Sequence, residues 1–153
     1  MTDALTFLKT RRSRPAKILT APVPDREALE ALLCTAARTP DHGKLEPWRF
    51  IVIDRAAMKP LADLAQARGE ALGLDAEQIN KGRGQFDQGH LAVAVIEVQK
   101  SSEKIPALEQ TYSAGAVCLA LLNAALASGW GANWLSGWAS HNRDFCTEAL
   151  ALA

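Results

Sequence analysis

The chain has 153 residues and a mass of 16.5 kDa, with 48% hydrophobic and 22% charged side chains, enough for one globular core and too apolar for a disordered segment. Lys plus Arg and Asp plus Glu balance at 17 each, so the field that draws in nucleic acid or an anionic membrane is missing. The start, Met-Thr-Asp-Ala-Leu-Thr-Phe, lacks the regions of a secretory signal, and no stretch approaches the roughly 18 unbroken apolar residues of a membrane span. The expectation is a cytoplasmic protein with no nucleic acid and no membrane as partner.

In chain order, Asp3 is placed to cap a short helix with Ala4, Leu5, Phe7 and Leu8 on its apolar face, running into Arg11-Arg12-Ser13-Arg14 before Pro15 ends it. Asp25 caps a second helix, with Leu29, Leu32, Leu33 and Ala36 at helical spacing, which breaks at Thr39-Pro40. The run from Pro40 to Trp48 holds two prolines and a glycine and reads as an irregular loop of the kind that carries function. Phe50 to Ile53 reads as a strand, Ala57 to Leu72 as an amphipathic helix with Pro60 in its first turn, and Leu91 to Val98 as a longer strand. Between these, Gly82 to Gly89 reads as a polar, mobile connection.

From Ala107 to Ser128 the spacing predicts a long helix, apolar all round from Ala114 to Ala127 except at Asn123, hence central and buried, with Gly129 as its C-cap. Trp130, Trp134 and Trp138 follow at a spacing of four, and Asn142 opens a last helix through Phe145 and Leu150. The class is α+β in one domain, 1–153. Two strands, or three if Ala132 to Leu135 is extended, make a sheet too small to stand alone, so a second subunit or a missing C-terminal strand is needed to complete it.

The chemistry-bearing residues exclude more than they assign. No Gly-x-Gly-x-x-Gly or P-loop occurs, and His42, His90 and His141 lack zinc-ligand spacing, so no metal is expected. Cys34, Cys118 and Cys146 are odd in number and far apart, which suggests reduced structural thiols. Arg11-Arg12-Ser13 offers two guanidinium forks and a hydroxyl that suit a phosphate, but basic residues at a helix exit also simply complement the dipole. Asp41-His42 could be an orienting carboxylate and a base, yet no Gly-x-Ser-x-Gly elbow accompanies them, and a turn histidine bonded to backbone fits as well. The tryptophans read first as core or interface anchors.

Together, Arg11-Arg12-Ser13, the run Ala36 to Phe50 with Asp41-His42-Gly43-Lys44-Leu45-Glu46-Pro47-Trp48 at its heart, Ser113-Ala114-Gly115-Ala116, and Gly129 to Gly137 with Trp134-Leu135-Ser136-Gly137 resemble the nitroreductase family, closest to its short subgroup with Asp-His in the proline loop. The resemblance implies a nitroreductase-like α+β fold: a small, mostly antiparallel sheet flanked by helices around a long buried helix, dimeric, with the C-terminal strand missing. It further implies an oxidoreductase in which FMN carries the chemistry, NAD(P)H is co-substrate, and a nitroaromatic, quinone or similar small molecule is the electron acceptor.

The same resemblance assigns the phosphate grip to Arg11, Arg12 and Ser13 and the flavin lining to Arg38, His42, Trp134, Leu135, Ser136 and Gly137. Ala124, Ala125, Leu126, Ala127, Ser128 and Gly129 become a nicotinamide-proximal segment, although a helix packing face would demand the same small residues. Pro47-Trp48 is implied at the interface of a homodimer holding two flavins, with Arg12 or Lys44 as candidate cations near the flavin's N1 and O2. Many relatives read Ser-Ser-Gly-Asn-Leu-Gln-Pro-Trp where this chain has Lys44 and Glu46 in place of neutral amides. Two alternatives stand beside this reading: a flavin-binding homologue without turnover because of C-terminal truncation, and, ranked last, a His42-based hydrolase.

Overall fold

The computed structural model describes residues 3–152. Five of its helices open on short polar side chains that accept first-turn N–H groups, each satisfying donors the helix itself cannot. Asp3 accepts from Leu5 and Thr6 at the start of α1 (Ala4–Thr10), and Asp25 from Ala28 at the start of α2 (Arg26–Ala36). Asp54 does the same for α3 (Arg55–Ala71), Asp75 for α4 (Ala76–Asp87), and Asn142 for α7 (Arg143–Leu150). The sheet has two strands, β1 (Trp48–Ile53) and β2 (Ala92–Glu97). Its antiparallel register continues one step beyond both strands, where Val98 N–H donates to the Pro47 carbonyl at 2.9 Å.

Two expectations are corrected. Gly82 to Gly89 is largely helix, because α4 runs to Asp87. Asp75 and Gln78 form a reciprocal capping box at its start, and a Cβ on Gly82 would sit 2.4 Å from Trp138 Nε1, so glycine there permits a close approach. Ala132 to Leu135 is not a strand, since among the described residues only one backbone bond, Arg14 N–H to the Ala132 carbonyl at 3.1 Å, joins it to another segment. A one-turn helix, α6 (Trp138–His141), also precedes α7.

The contacts divide the chain into two units, the first made of residues up to 15, 22–51 and 93–134, the second of 16–21, 52–92 and 135 onward. In the first, α2 packs along α5 (Ala107–Ala127), burying Leu32, Ala36, Ala114, Val117 and Leu122, with Pro47 fully enclosed. Gln110, 2% exposed, clasps the preceding segment by accepting from Lys100 N–H at 2.7 Å and donating to the Lys100 carbonyl at 2.9 Å. The helix ends at Gly129, whose φ of 85° is left-handed backbone that glycine adopts freely.

Gln110, Ala114 and Val117 lie on one side of α5, and the 3.6-residue period puts Leu108, Tyr112 and Leu119 on the other, where they are 58%, 66% and 45% exposed. By length and composition this helix is also long and apolar enough to cross a membrane, beyond what the sequence expectation allowed. A core helix of this make-up passes the same test.

In the second unit, α3 buries Met58, Leu61, Ala62 and Ala65, while Ala65 joins Ala139 and Phe145 in one cluster. Phe145 meets Phe86 at 5.7 Å and Trp138 edge-on at 6.1 Å between ring centroids. Trp138 is held in place as its indole N–H donates to the Gln78 carbonyl at 3.0 Å. The cysteines are free: Cys34 is exposed, and burial pushes the thiols of Cys118 and Cys146 up.

Candidate functional site

Beyond α1 the chain extends through Arg11, whose N–H closes the helix on the Phe7 carbonyl at 2.7 Å. Arg14 N–H pairs with Ala132, and the Asn133 side-chain amide donates back to the Arg14 carbonyl, so the turn is stapled to the segment that follows α5. Arg11 Nη2 donates to Ser13 Oγ at 3.2 Å, and Arg12 Nη1 to the Arg11 carbonyl at 2.8 Å. Arg11 Nε is buried without a hydrogen-bond partner. A desolvated guanidinium N–H left unmatched is costly, and beside a hydroxyl it suits an anion that accepts from several donors at once. Arg11, Arg12 and Ser13 thus lie close together in one turn; Asn133, which fixes the turn, figures in the sequence only as part of the run from Gly129 to Gly137 and not as a site residue.

The proline loop is held by its own polar groups. Asp41 Oδ2 accepts from Glu46 N–H at 2.6 Å, and the Asp41 carbonyl from Lys44 N–H at 3.3 Å. Gly43, Lys44 and Glu46 have φ of 74°, 54° and 47°, a left-handed run that costs the two non-glycine residues free energy. Ser113 Oγ donates to the Pro40 carbonyl at 3.1 Å, and a Cβ on Gly43 would lie 2.3 Å from Ile105 Cδ1. His42 Nδ1 lies 2.7 Å from Glu109 Oε2 of α5. The carboxylate that meets this histidine is thus Glu109, distant in sequence, rather than the neighbouring Asp41. Arg38 is exposed just beyond α2, and Lys44 is exposed in the loop.

Ala124 to Gly129 lies at the other end of α5. With Ala28, Leu32 and Thr35 of α2, Ala124, Ala127 and Ser128 border a mainly apolar cleft of about 280 Å³. The small side chains serve helix packing and still leave an opening. Glu109 and Ala124 are separated by about 22 Å along the helix axis at 1.5 Å per residue. His42 and the segment from Ala124 to Gly129 therefore stand at opposite ends of α5, while Arg11 to Ser13 is tethered through Arg14 just past its C-terminal end.

Trp134 is 53% exposed and closes the first unit. In the second unit, Ser136 Oγ lies 3.2 Å from His141 Nε2, and Gly137 leaves room for Gln85, whose Nε2 would be 2.7 Å from a Cβ there. Leu135 borders an open groove of about 590 Å³ along one face of α4, with Asn80, Lys81, Gln85 and Gln88. Pro47 is enclosed within its own unit, so of the pair expected at an interface only Trp48, half-buried, offers surface. Among the described residues no three His, Cys, Asp or Glu side chains gather as metal ligands, and His42 has no serine or cysteine hydroxyl or thiol as a hydrogen-bond partner.

Comparison with known proteins identifies the family and the fold. The model of the nitroreductase family matches residues 8–153. A "Putative NAD(P)H nitroreductase" of Haemophilus influenzae is 38% identical over 136 residues, covering 88% of this chain and 73% of that protein. "Putative NAD(P)H nitroreductase YdjA" of Escherichia coli K12 is 35% identical over 135 residues, with the same coverage of 88% and 73%. Among solved structures, a nitroreductase-like family protein from Bacillus cereus has a TM-score of 0.78 at 22% identity, covering 100% of this chain and 79% of that one. A BluB-like flavoprotein from Clostridium difficile 630 has a TM-score of 0.70 at 17% identity, covering 98% and 81%. At those identities the two structures establish the fold.

Proposed function

Because the chain belongs to the nitroreductase family, a family of oxidoreductases, we propose that it binds FMN and passes electrons from NAD(P)H to a nitroaromatic, quinone or similar small acceptor. The observation that carries this reading is the orphaned, buried Nε of Arg11 beside the Ser13 hydroxyl. That donor set fits the phosphate of a mononucleotide: Arg11 and Ser13 would hold it, with Arg12 swinging from its own backbone to add a second fork. When bound, FMN supplies the two-electron hydride chemistry.

The chain's own groups do the holding and orienting. Asn133 and Ala132 fix the Arg11–Ser13 turn through Arg14. The loop bearing His42 is locked onto α5, and Lys44 brings a cation to that loop. Trp134, exposed, would offer its ring as an apolar surface, and Arg38 would add to the lining.

We propose further that the enzyme is a cytoplasmic homodimer. The roughly 22 Å along α5 between the His42 anchor and Ala124 supports a site completed by a second copy, as do the uncovered Leu108, Tyr112 and Leu119. Three free cysteines suit a reducing compartment.

The test is release of the cofactor by denaturation with identification by mass, followed by anaerobic NAD(P)H oxidation with a quinone. FMN at one per chain and acceptor-dependent turnover are expected, and Arg11→Ala should lose the flavin while remaining folded. A folded protein that stays colourless in excess FMN would overturn the reading. Flavin that binds but is not reduced by NAD(P)H would leave a binding homologue in its place. The hydrolase alternative is not favoured: Asp41 is engaged by Glu46 N–H, and His42 faces a carboxylate.

A further inference from the structure

We infer that Glu109 is the positioning residue for His42, fixing the imidazole so that Nδ1 carries the ring hydrogen and Nε2 is the nitrogen offered to a ligand. The assignment rests on the flavin-site reading only in what that ligand is. A carboxylate can only accept, so at 2.7 Å from Glu109 Oε2 the ring must donate from Nδ1. With Nδ1 committed and the side chain 64% exposed, Nε2 is free to meet another group.

Three features mark this pair as built rather than a chance meeting of surface side chains. Ser113, one helical turn beyond Glu109 on α5, holds the Pro40 carbonyl at 3.1 Å, which fixes the loop just before His42. Gly43, just after it, takes a left-handed φ of 74° against Ile105. Asp41, the carboxylate nearest in sequence, has Oδ2 taken by Glu46 N–H at 2.6 Å and leaves the ring to Glu109. Glu109 is itself 46% exposed, and an exposed ion pair contributes little to stability. Orientation is the property such a pair delivers, in the way that a second hydrogen bond selects which nitrogen of a histidine does its work.

The experiment uses the full chain with ¹⁵N-labelled histidine, comparing ring-nitrogen spectra of the wild type, Glu109→Ala and Glu109→Gln without flavin. The neutral His42 ring should carry hydrogen on Nδ1 in the wild type and in Glu109→Gln, whose amide oxygen still accepts, and shift toward Nε2–H in Glu109→Ala. An unchanged tautomer in Glu109→Ala, or Nε2–H in the wild type, would overturn the inference.

FMN titration forms the second arm. Glu109→Ala should weaken binding about tenfold, the scale of one charge-assisted hydrogen bond, and His42→Ala similarly, with the double variant no weaker than His42→Ala alone. A tenfold loss from Glu109→Ala that persists once His42 is gone would show Glu109 acting by itself and also overturn the inference. If no form binds FMN, the flavin reading fails, and the tautomer arm still decides the role of Glu109.

Discussion

The two long helices, α3 and α5, solve opposite problems. α3 is mixed in composition, yet it encloses Met58, Leu61, Ala62 and Ala65 within its unit and turns its charges outward, where Lys59 and Asp63 form a surface network with Arg83 of α4. α5 is far more apolar, yet it leaves Leu108, Tyr112 and Leu119 open and uses polar residues to hold neighbouring segments: Gln110 clasps Lys100, Thr111 donates to Glu97, and Glu109 and Ser113 hold the loop of His42. Apolar content therefore does not measure how far a helix is satisfied by its own chain. α3 builds a self-sufficient core, whereas α5 anchors the His42 loop and leaves one apolar face exposed.

The comparison can be broken most sharply at Phe145. It is 4% exposed beneath α3, and truncation to alanine should cost about 3–5 kcal/mol in chemical denaturation. A loss much under 1 kcal/mol would mean the α3 side is not self-sufficient. Next comes Gly82→Ala, whose added methyl meets the Trp138 ring at 2.4 to 2.8 Å; overpacking of about 1–3 kcal/mol is expected, together with altered tryptophan fluorescence. On the α5 side, Lys44→Gly should stabilise by about 1 kcal/mol by relieving the left-handed backbone at φ 54°, read as a higher Tm.

Leu119→Glu should change the stability of the isolated chain by less than about 0.5 kcal/mol but abolish association, measured by sedimentation. A cost as large as that of Phe145→Ala would show that α5 is covered within its own chain. The smallest effect concerns pH. The hydrogen bond from Lys59, then that from Arg83, hold the Asp63 carboxyl below its usual value. Its contribution is therefore present above the ordinary carboxylate range and fades as pH falls through the lowered folded value. Asp63→Asn should flatten that acid dependence when urea midpoints at pH 7 and pH 3 are compared.

What the sequence discloses follows from range. The caps at Asp3, Asp25 and Asn142, the end of α5 at Gly129, and the Arg11–Ser13 cluster are local, written in residues a few positions apart. α4 is obscured by Gly82 and Gly84 and by its polar make-up, although the pair Asp75 and Gln78, three apart, is a start signal that could have revealed it. Glu109 is not legible, because its partner is 67 positions away and a nearer carboxylate, Asp41, is the more obvious candidate. Likewise the openness of one face of α5 cannot be read from a run that is apolar on every side, since periodicity vanishes where polarity does.

The three thiols differ in a way that gives experimenters a tool. Cys34 stands in solvent on α2, while Cys118 and Cys146 are withdrawn and their burial disfavours the reactive thiolate. A maleimide dye added to the unaltered protein at neutral pH will tag Cys34 first, one position before Thr35 at the edge of the cleft beside Ala124. Fluorescence from that single label then gives a direct signal for anything that enters the cleft or seals it, with no engineered cysteine required.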